Sequence, residues 1–186
     1  MLEDQLTEIV EQTDFVQEVL DVAESEFDHY YIGAGCITQS VWNYLCGREA
    51  GYGIGDIDIV YYDAHDHTGE REDWIEAVCN KKLEHAGYPI DVTNEARVHV
   101  WYEKKFGKKI PPYQSVEEAI DTWPATASAI GVKKTNGIYQ IYAPYGLDDL
   151  FQLIVRPNKK MIPQHVYEKK VSKWKRLWPE LKIQKW

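Results

Sequence analysis

Apolar residues recur every three or four positions from Leu6 through Ile9, Val10, Phe15, Val16, Val19, Leu20 and Ala23, which predicts helix over residues 2–27. The Thr13-Asp14 pair marks the start of a second helix inside that span. Tyr30-Tyr31-Ile32 reads as a short strand, broken by Gly33-Ala34-Gly35, and Ile37, Val41 and Leu45 then stack at intervals of four on a helix ended by Gly47. The β-branched run at 57–62 predicts a strand, followed by a polar loop at 63–69, a helix over about 70–86 closed by Gly87, and a short strand at 90–92. Residues 97–106 are helical in pattern, and Ser115-Val-Glu-Glu118 has the form of a capping box that starts a helix near Val116. Asn136-Gly137 between apolar runs predicts a hairpin joining 129–133 to 138–142. Helices are expected at 147–155 and 164–178, the last with Tyr167, Val171, Trp174 and Trp178 on one face. Strands connected by helices, with one hairpin, define a mixed α+β or α/β fold.

The 186 residues suffice for one domain with a sizeable core. The expected division is a core at about 28–155 with a helical extension at about 156–186. No apolar stretch reaches the length of a membrane span, and the acidic N-terminus lacks the marks of a signal peptide. The odd count of three cysteines argues against a disulfide framework. The expectation is a cytoplasmic protein with reduced thiols. The net charge of −9 is uneven: residues 1–28 carry ten Asp and Glu and no Lys or Arg, whereas 156–186 carry ten Lys and Arg. Either the two helical faces balance one another or the basic one meets an anion. The overall negative charge favours the first and weighs against broad nucleic-acid binding, so no DNA partner is expected.

The chemistry centres on Gly53-Ile-Gly-Asp-Ile-Asp-Ile-Val-Tyr-Tyr62. On a strand, Asp56 and Asp58 point to one face, where their charges repel unless a cation or proton lies between them. Mg²⁺, which binds a few carboxylates and completes its shell with water and phosphate oxygens, suits the pair. Two further pieces accompany it. The Gly33-Ala34-Gly35 turn leads into a helix N-terminus, where backbone can approach phosphate closely. Asp91 lies alone between Ile90 and Val92 in a short strand. Each piece alone has an ordinary explanation, as a tight turn or a solvated strand carboxylate. Together they describe carboxylates on adjacent strands beside a phosphate-binding turn, a set able to hold two metals for phosphoryl or nucleotidyl transfer.

The order of these pieces resembles the nucleotidyltransferase superfamily with the polymerase-β-like fold. Within it, the chain is similar to a bacterial group termed simply nucleotidyltransferase family proteins. The segments that carry the resemblance are Ala34–Asn43, Gly51–Val60, Asp91–Trp101, Ala143–Phe151 and Arg156–Asn158. The resemblance implies a small mixed sheet flanked by helices, with extra N- and C-terminal helices. It implies transfer of a nucleoside monophosphate from a nucleoside triphosphate to a hydroxyl acceptor, small molecule, protein or RNA, with release of pyrophosphate. Asp56 and Asp58 match the first two metal ligands and Asp91 the third, which usually helps activate the acceptor. The metal would be Mg²⁺, two ions, with Mn²⁺ as an alternative. Gly35, with Gly33, matches the phosphate-binding turn. Cys36 stands where the superfamily commonly has Gly or Ser, which makes Thr38 and Gln39 the candidates to replace a phosphate-holding hydroxyl. The alternative implied by Cys36 is a nucleotide-binding or regulatory module with little turnover. A sugar-nucleotide glycosyltransferase also uses Asp-x-Asp, but the third strand carboxylate and the small size disfavour it.

Other residues have two readings each. Arg97 either neutralises phosphate or pairs with a nearby carboxylate. His65 and His67 with Asp63 and Asp66 either bind a transition metal or form a polar loop. The tryptophans at 42, 74, 101, 123, 174 and 178 are expected to pack rather than to stack on bases, and His99 is expected to be packed as well. Cys36 is a conceivable nucleophile without a sequence-adjacent base.

Overall fold

The computed structural model describes residues 1–186. The N-terminal helical pattern forms two helices, α1 (Leu2–Glu11) and α2 (Asp14–Glu26), with the second starting at Asp14 as expected. The break falls at Thr13, whose hydroxyl donates back to the Ile9 carbonyl at 2.8 Å instead of capping α2. Strand β1 (Tyr30–Gly33) runs into helix α3 (Gly35–Leu45), and β2 (Ile57–Tyr61) is joined through α4 (Glu70–Lys82) to β3 (Ile90–Asn94). Helices α5 (Val98–Phe106) and α6 (Val116–Ile120) precede a hairpin of β4 (Gly131–Thr135) and β5 (Ile138–Tyr142). Asn136 and Gly137 take φ of 51° and 77°, the left-handed pair that a type I′ turn requires.

The five strands form one sheet in the order β3-β2-β1-β4-β5, with β2 and β3 parallel and the other neighbours antiparallel. Alternation sorts the side chains by face. Tyr30, Ile32, Ile57, Ile59, Ile90 and Val92 point into the main core, with residues of α1, α2, α3 and α4. Tyr31 and Val60 point the other way and meet Val116 and Ile120 of α6.

The expected helix at 147–155 is a single turn, α7 (Asp148–Phe151), because Leu153 takes φ of 58° and turns the chain into a short strand, β6 (Ile154–Val155). That strand pairs in parallel with β7 (Lys182–Ile183), forming a second sheet that the sequence pattern does not predict. Between them, α8 (Gln164–Leu177) packs Trp174 against Trp42 of α3, with ring centroids 5.3 Å apart. Trp178 completes the contact and donates its indole N–H to Asn43 Oδ1 at 2.9 Å. Trp74 is 61% exposed, contrary to the packing expectation, because it lies on the solvent side of α4. No helix is long and apolar enough to cross a membrane.

Candidate active site

Register places the site. Gly131 pairs with Gly33, Gly33 with Asp58, and Asp58 with Asp91, so these residues form one row across four neighbouring strands. Because Asp58 and Asp91 are directly paired on parallel strands, their side chains leave the same face of the sheet. Asp56 lies one residue before β2 begins and is exposed, so the alternation argument does not reach it through a regular strand. Its charge nevertheless acts on both partners. Burial pushes the half-buried Asp58 carboxyl up to about 6, with Asp56 the next cause and Asp91 a smaller one. Asp91 is raised by burial and then by Asp56. The three carboxylates thus share one electrostatic neighbourhood, without closing into a compact set of three metal-ligating side chains.

Helix α4 holds Asp91 in place. Strand β3 is at the sheet edge, and its free backbone groups are taken by side chains of α4 at intervals of four. Asn80 brackets Ile90, accepting its N–H at 2.9 Å and donating to its carbonyl at 2.7 Å. Glu76 accepts the N–H of Val92 at 3.0 Å. These bonds fix the residues on either side of Asp91 and occupy an edge that would otherwise invite another strand.

The turn before α3 faces the same row, but its residues divide the work differently from the expectation. Ala34, not a glycine, carries the positive φ of 51°. Gly33 is a packing glycine: a Cβ there would lie 2.6 Å from the Trp123 ring and 2.7 Å from the Ile130 carbonyl. Gly35 opens α3, and a Cβ on it would meet only the movable amide of Gln39, at 3.0 Å. Gly33→Ala is therefore expected to lower stability by about 1–3 kcal/mol through overpacking. Gly35→Ala should stay within about 0.5 kcal/mol of the parent, and urea titration of both variants checks the contrast.

Cys36 is fully buried and its thiol is pushed well up, by burial first and then by Asp58 and Asp56, so it is no nucleophile. The same coupling places the first turn of α3 beside the carboxylates, where helix-initial N–H groups lack intrahelical partners. Thr38 does not take the place of a phosphate-holding hydroxyl: it is completely buried and donates to the Ala127 carbonyl at 3.2 Å. Gln39 is buried under the head of α3 with its Oε1 unpartnered. Arg97 is also removed from the cleft. Its guanidinium pairs with Glu72 at 2.5 Å and donates to the Thr68 carbonyl at 3.0 Å, and it does not line the cavity that Asp58 lines. In the loop after β2, Asp63 pairs with Arg71, and Asp66 accepts the N–H groups of Thr68 and Gly69.

Lys170, a residue that the helical pattern of the C-terminal segment does not single out, lines the cavity beside Asp58. It is half-buried on α8, and its ammonium is pushed down by burial while Asp58 and Asp56 act in the opposite direction. Lys105 acts on Asp91, and Lys173 on Lys170. The expected balance between the basic C-terminal helix and the acidic N-terminus is not formed. Asp21 pairs with Lys134, Glu26 with Lys82 and Glu18 with His85, none of them on α8. A signal for Lys170 exists in the sequence, since it falls three residues after Tyr167 and four before Trp174, on the flank of the buried stripe.

Glu95 is the second residue missed. It is 5% exposed, and burial followed by Asp58 and Glu72 pushes its carboxyl up to about 8. It lines a cavity of about 240 Å³ that also touches Asp58, Lys170, Trp101 and Trp123.

The fold and the sequence both have counterparts. A solved structure described as "The NMR structure of the protein reveals a CCA-adding enzyme head domain" superposes with a TM-score of 0.80 at 20% identity, covering 98% of this chain and 96% of that one. No curated protein matches the sequence. The family model described as Nucleotidyltransferase matches residues 21–183. With its mixed sheet, its row of carboxylates and this match over most of its length, the chain belongs to the nucleotidyltransferase family.

Proposed function

We propose that the protein transfers a nucleoside monophosphate from a nucleoside triphosphate to a hydroxyl acceptor, in a divalent-metal-dependent reaction that releases pyrophosphate. The observation that carries this reading is the register pairing of Asp58 with Asp91 beside Gly33, with Asp56 acting on both carboxylates. By chemical type the donors suit Mg²⁺, which takes a few carboxylate oxygens and completes its shell with waters and phosphate oxygens. The mutual charge of Asp56, Asp58 and Asp91 supports the reading, although the three do not close into a ready-made set without the ion. Asp56, Asp58 and Asp91 would hold it, and when bound it would neutralise charge on the phosphates and on the attacking oxygen.

The chain's own groups do the rest. The N-terminus of α3 binds phosphate oxygens through its free N–H groups and its dipole. Asp91, the more exposed of the strand pair, takes the proton of the acceptor hydroxyl as that oxygen bonds to the α-phosphorus. The bond from the α-phosphorus to its bridging oxygen breaks, and the electron pair leaves with pyrophosphate. Lys170 offsets charge on the phosphates from the side of α8.

The test is pyrophosphate release from each of the four nucleoside triphosphates with Mg²⁺ or Mn²⁺, against panels of hydroxyl compounds and RNA. Release that requires the divalent ion and disappears in Asp58→Asn supports transfer. Tight nucleotide binding without turnover on any acceptor would favour instead a nucleotide-binding or regulatory module. That second reading draws on Cys36, a buried thiol where a hydroxyl would face the phosphates.

A further inference from the structure

The cavity beside Asp58 has a composition that metal and phosphate chemistry does not require. Its walls include Trp101, Tyr102, Phe106, Tyr113 and Trp123, and the Glu95 carboxyl lines it with Asp58 and Lys170. The Trp123 ring lies so close to Gly33 that a Cβ there would come within 2.6 Å of it. Glu95 is 5% exposed, yet its side chain makes no hydrogen bond with another residue, whereas the neighbouring Asn94 amide is fully used. A buried carboxyl without a partner is expensive, and a ligand that supplies one recovers that penalty.

We propose that this cavity seats a planar heteroaromatic ring whose polar edge hydrogen-bonds the Glu95 carboxyl, so that the pocket selects one substrate of the transfer reaction by its ring. The inference deepens the nucleotidyl-transfer reading and rests on it for the role of the ring. Aromatic walls favour a flat guest. At about 240 Å³ the space is below the ~300–1,000 Å³ of sites for drug-sized ligands, which limits the guest to one ring system rather than a whole nucleotide. Asp58 and Lys170 on the lining put such a ring next to the reacting phosphates. Burial among aromatic walls disfavours the ionised form of Glu95, and the protonated carboxyl offers a donor and an acceptor side by side. The matching edge is a ring nitrogen or carbonyl beside an N–H, as on a nucleobase or a carboxamide. Such a ring can be the base of the nucleoside triphosphate or part of the acceptor.

The test uses the full chain with ¹⁵N-labelled tryptophan. Adenine, cytosine, uracil and nicotinamide are titrated while the indole resonances of Trp101 and Trp123 are followed, and Mg²⁺-tripolyphosphate binding is measured separately. The expected result is saturable shifts with at least one ring. Glu95→Leu should weaken that binding at least tenfold while leaving tripolyphosphate affinity within twofold, and Glu95→Gln should retain part of it. Competition identifies the source: displacement by a nonhydrolysable triphosphate carrying the same base assigns the ring to the nucleotide, and simultaneous binding assigns it to the acceptor. No shift with any ring, or equal binding by Glu95→Leu, overturns the inference. Ring binding without tripolyphosphate binding would instead leave the cavity assignment standing and count against the nucleotidyl-transfer reading.

Discussion

Asp58→Asn should remove activity and, at the same time, make the protein more stable. Transfer is expected to fall by roughly 10²–10³ or more, the scale on which loss of one electrostatic contact to a reacting phosphate is felt. The stability change follows from linkage. The folded-state pKa of Asp58 is about 6, above its ordinary value of 3.8, so the folded protein resists ionising this group. The penalty is absent below the lower value, grows between the two and is fully present above the upper one. At roughly 1.4 kcal/mol per pKa unit, Asn should return about 2–3 kcal/mol at pH 7.5 in the absence of divalent ions. Urea titration with a chelator present measures it. A variant less stable than the parent would mean that the Asp58 carboxylate is chiefly a structural partner of Lys170.

Glu95 carries the second large effect. Burial pushes its carboxyl up to about 8 in the folded protein, against an ordinary value of 4.5, and the shift has the same sign. The protein should therefore lose stability as pH rises from about 4.5 to 8, by a few kcal/mol in total with the Asp58 contribution included. Glu95→Gln should flatten the upper part of that decline, and Asp58→Asn the lower part. Because Asp58 is itself a cause of the Glu95 shift, the two substitutions together should recover less than the sum of each alone. Melting temperatures across this pH range, with chelator, give the curves. Parallel curves for the parent and Glu95→Gln would contradict the assignment.

The parts legible in the sequence were those whose signal is local. Period-two and period-four patterns marked β1, β2, α3, α8 and the hairpin at Asn136-Gly137, and the carboxylates of the row were singled out before any pairing was known. What the pattern missed depends on neighbours distant in the chain. Arg97 lies six residues from Asp91, and its two readings, phosphate or a carboxylate, are decided by the 3₁₀ turn at Glu95–Arg97, which sends it to Glu72 on α4. The same turn directs Glu95 into the cavity. Lys170 escapes the pattern because helical periodicity defines a face without saying what lies opposite its flank; the Trp174 and Trp178 contacts with α3 decide that. Strands β6 and β7 are two residues each, too short for any period to show.

The order of strands in the sheet also governs how the protein is made. Strand β1 sits at the centre, and its second neighbour, β4, pairs Val132 with Ile32, a hundred residues later in the chain. At a synthesis rate of about 5–20 residues per second, the N-terminal part waits on the order of 5–20 s for that partner. During this interval β1, β2 and β3 can already pair, but Tyr31-Ile32-Gly33 presents an open apolar edge to solvent. Slow growth of the chain through residues 95–130 thus lengthens exposure of an edge that only the hairpin closes, and chaperone demand during translation should be greatest before β4 emerges.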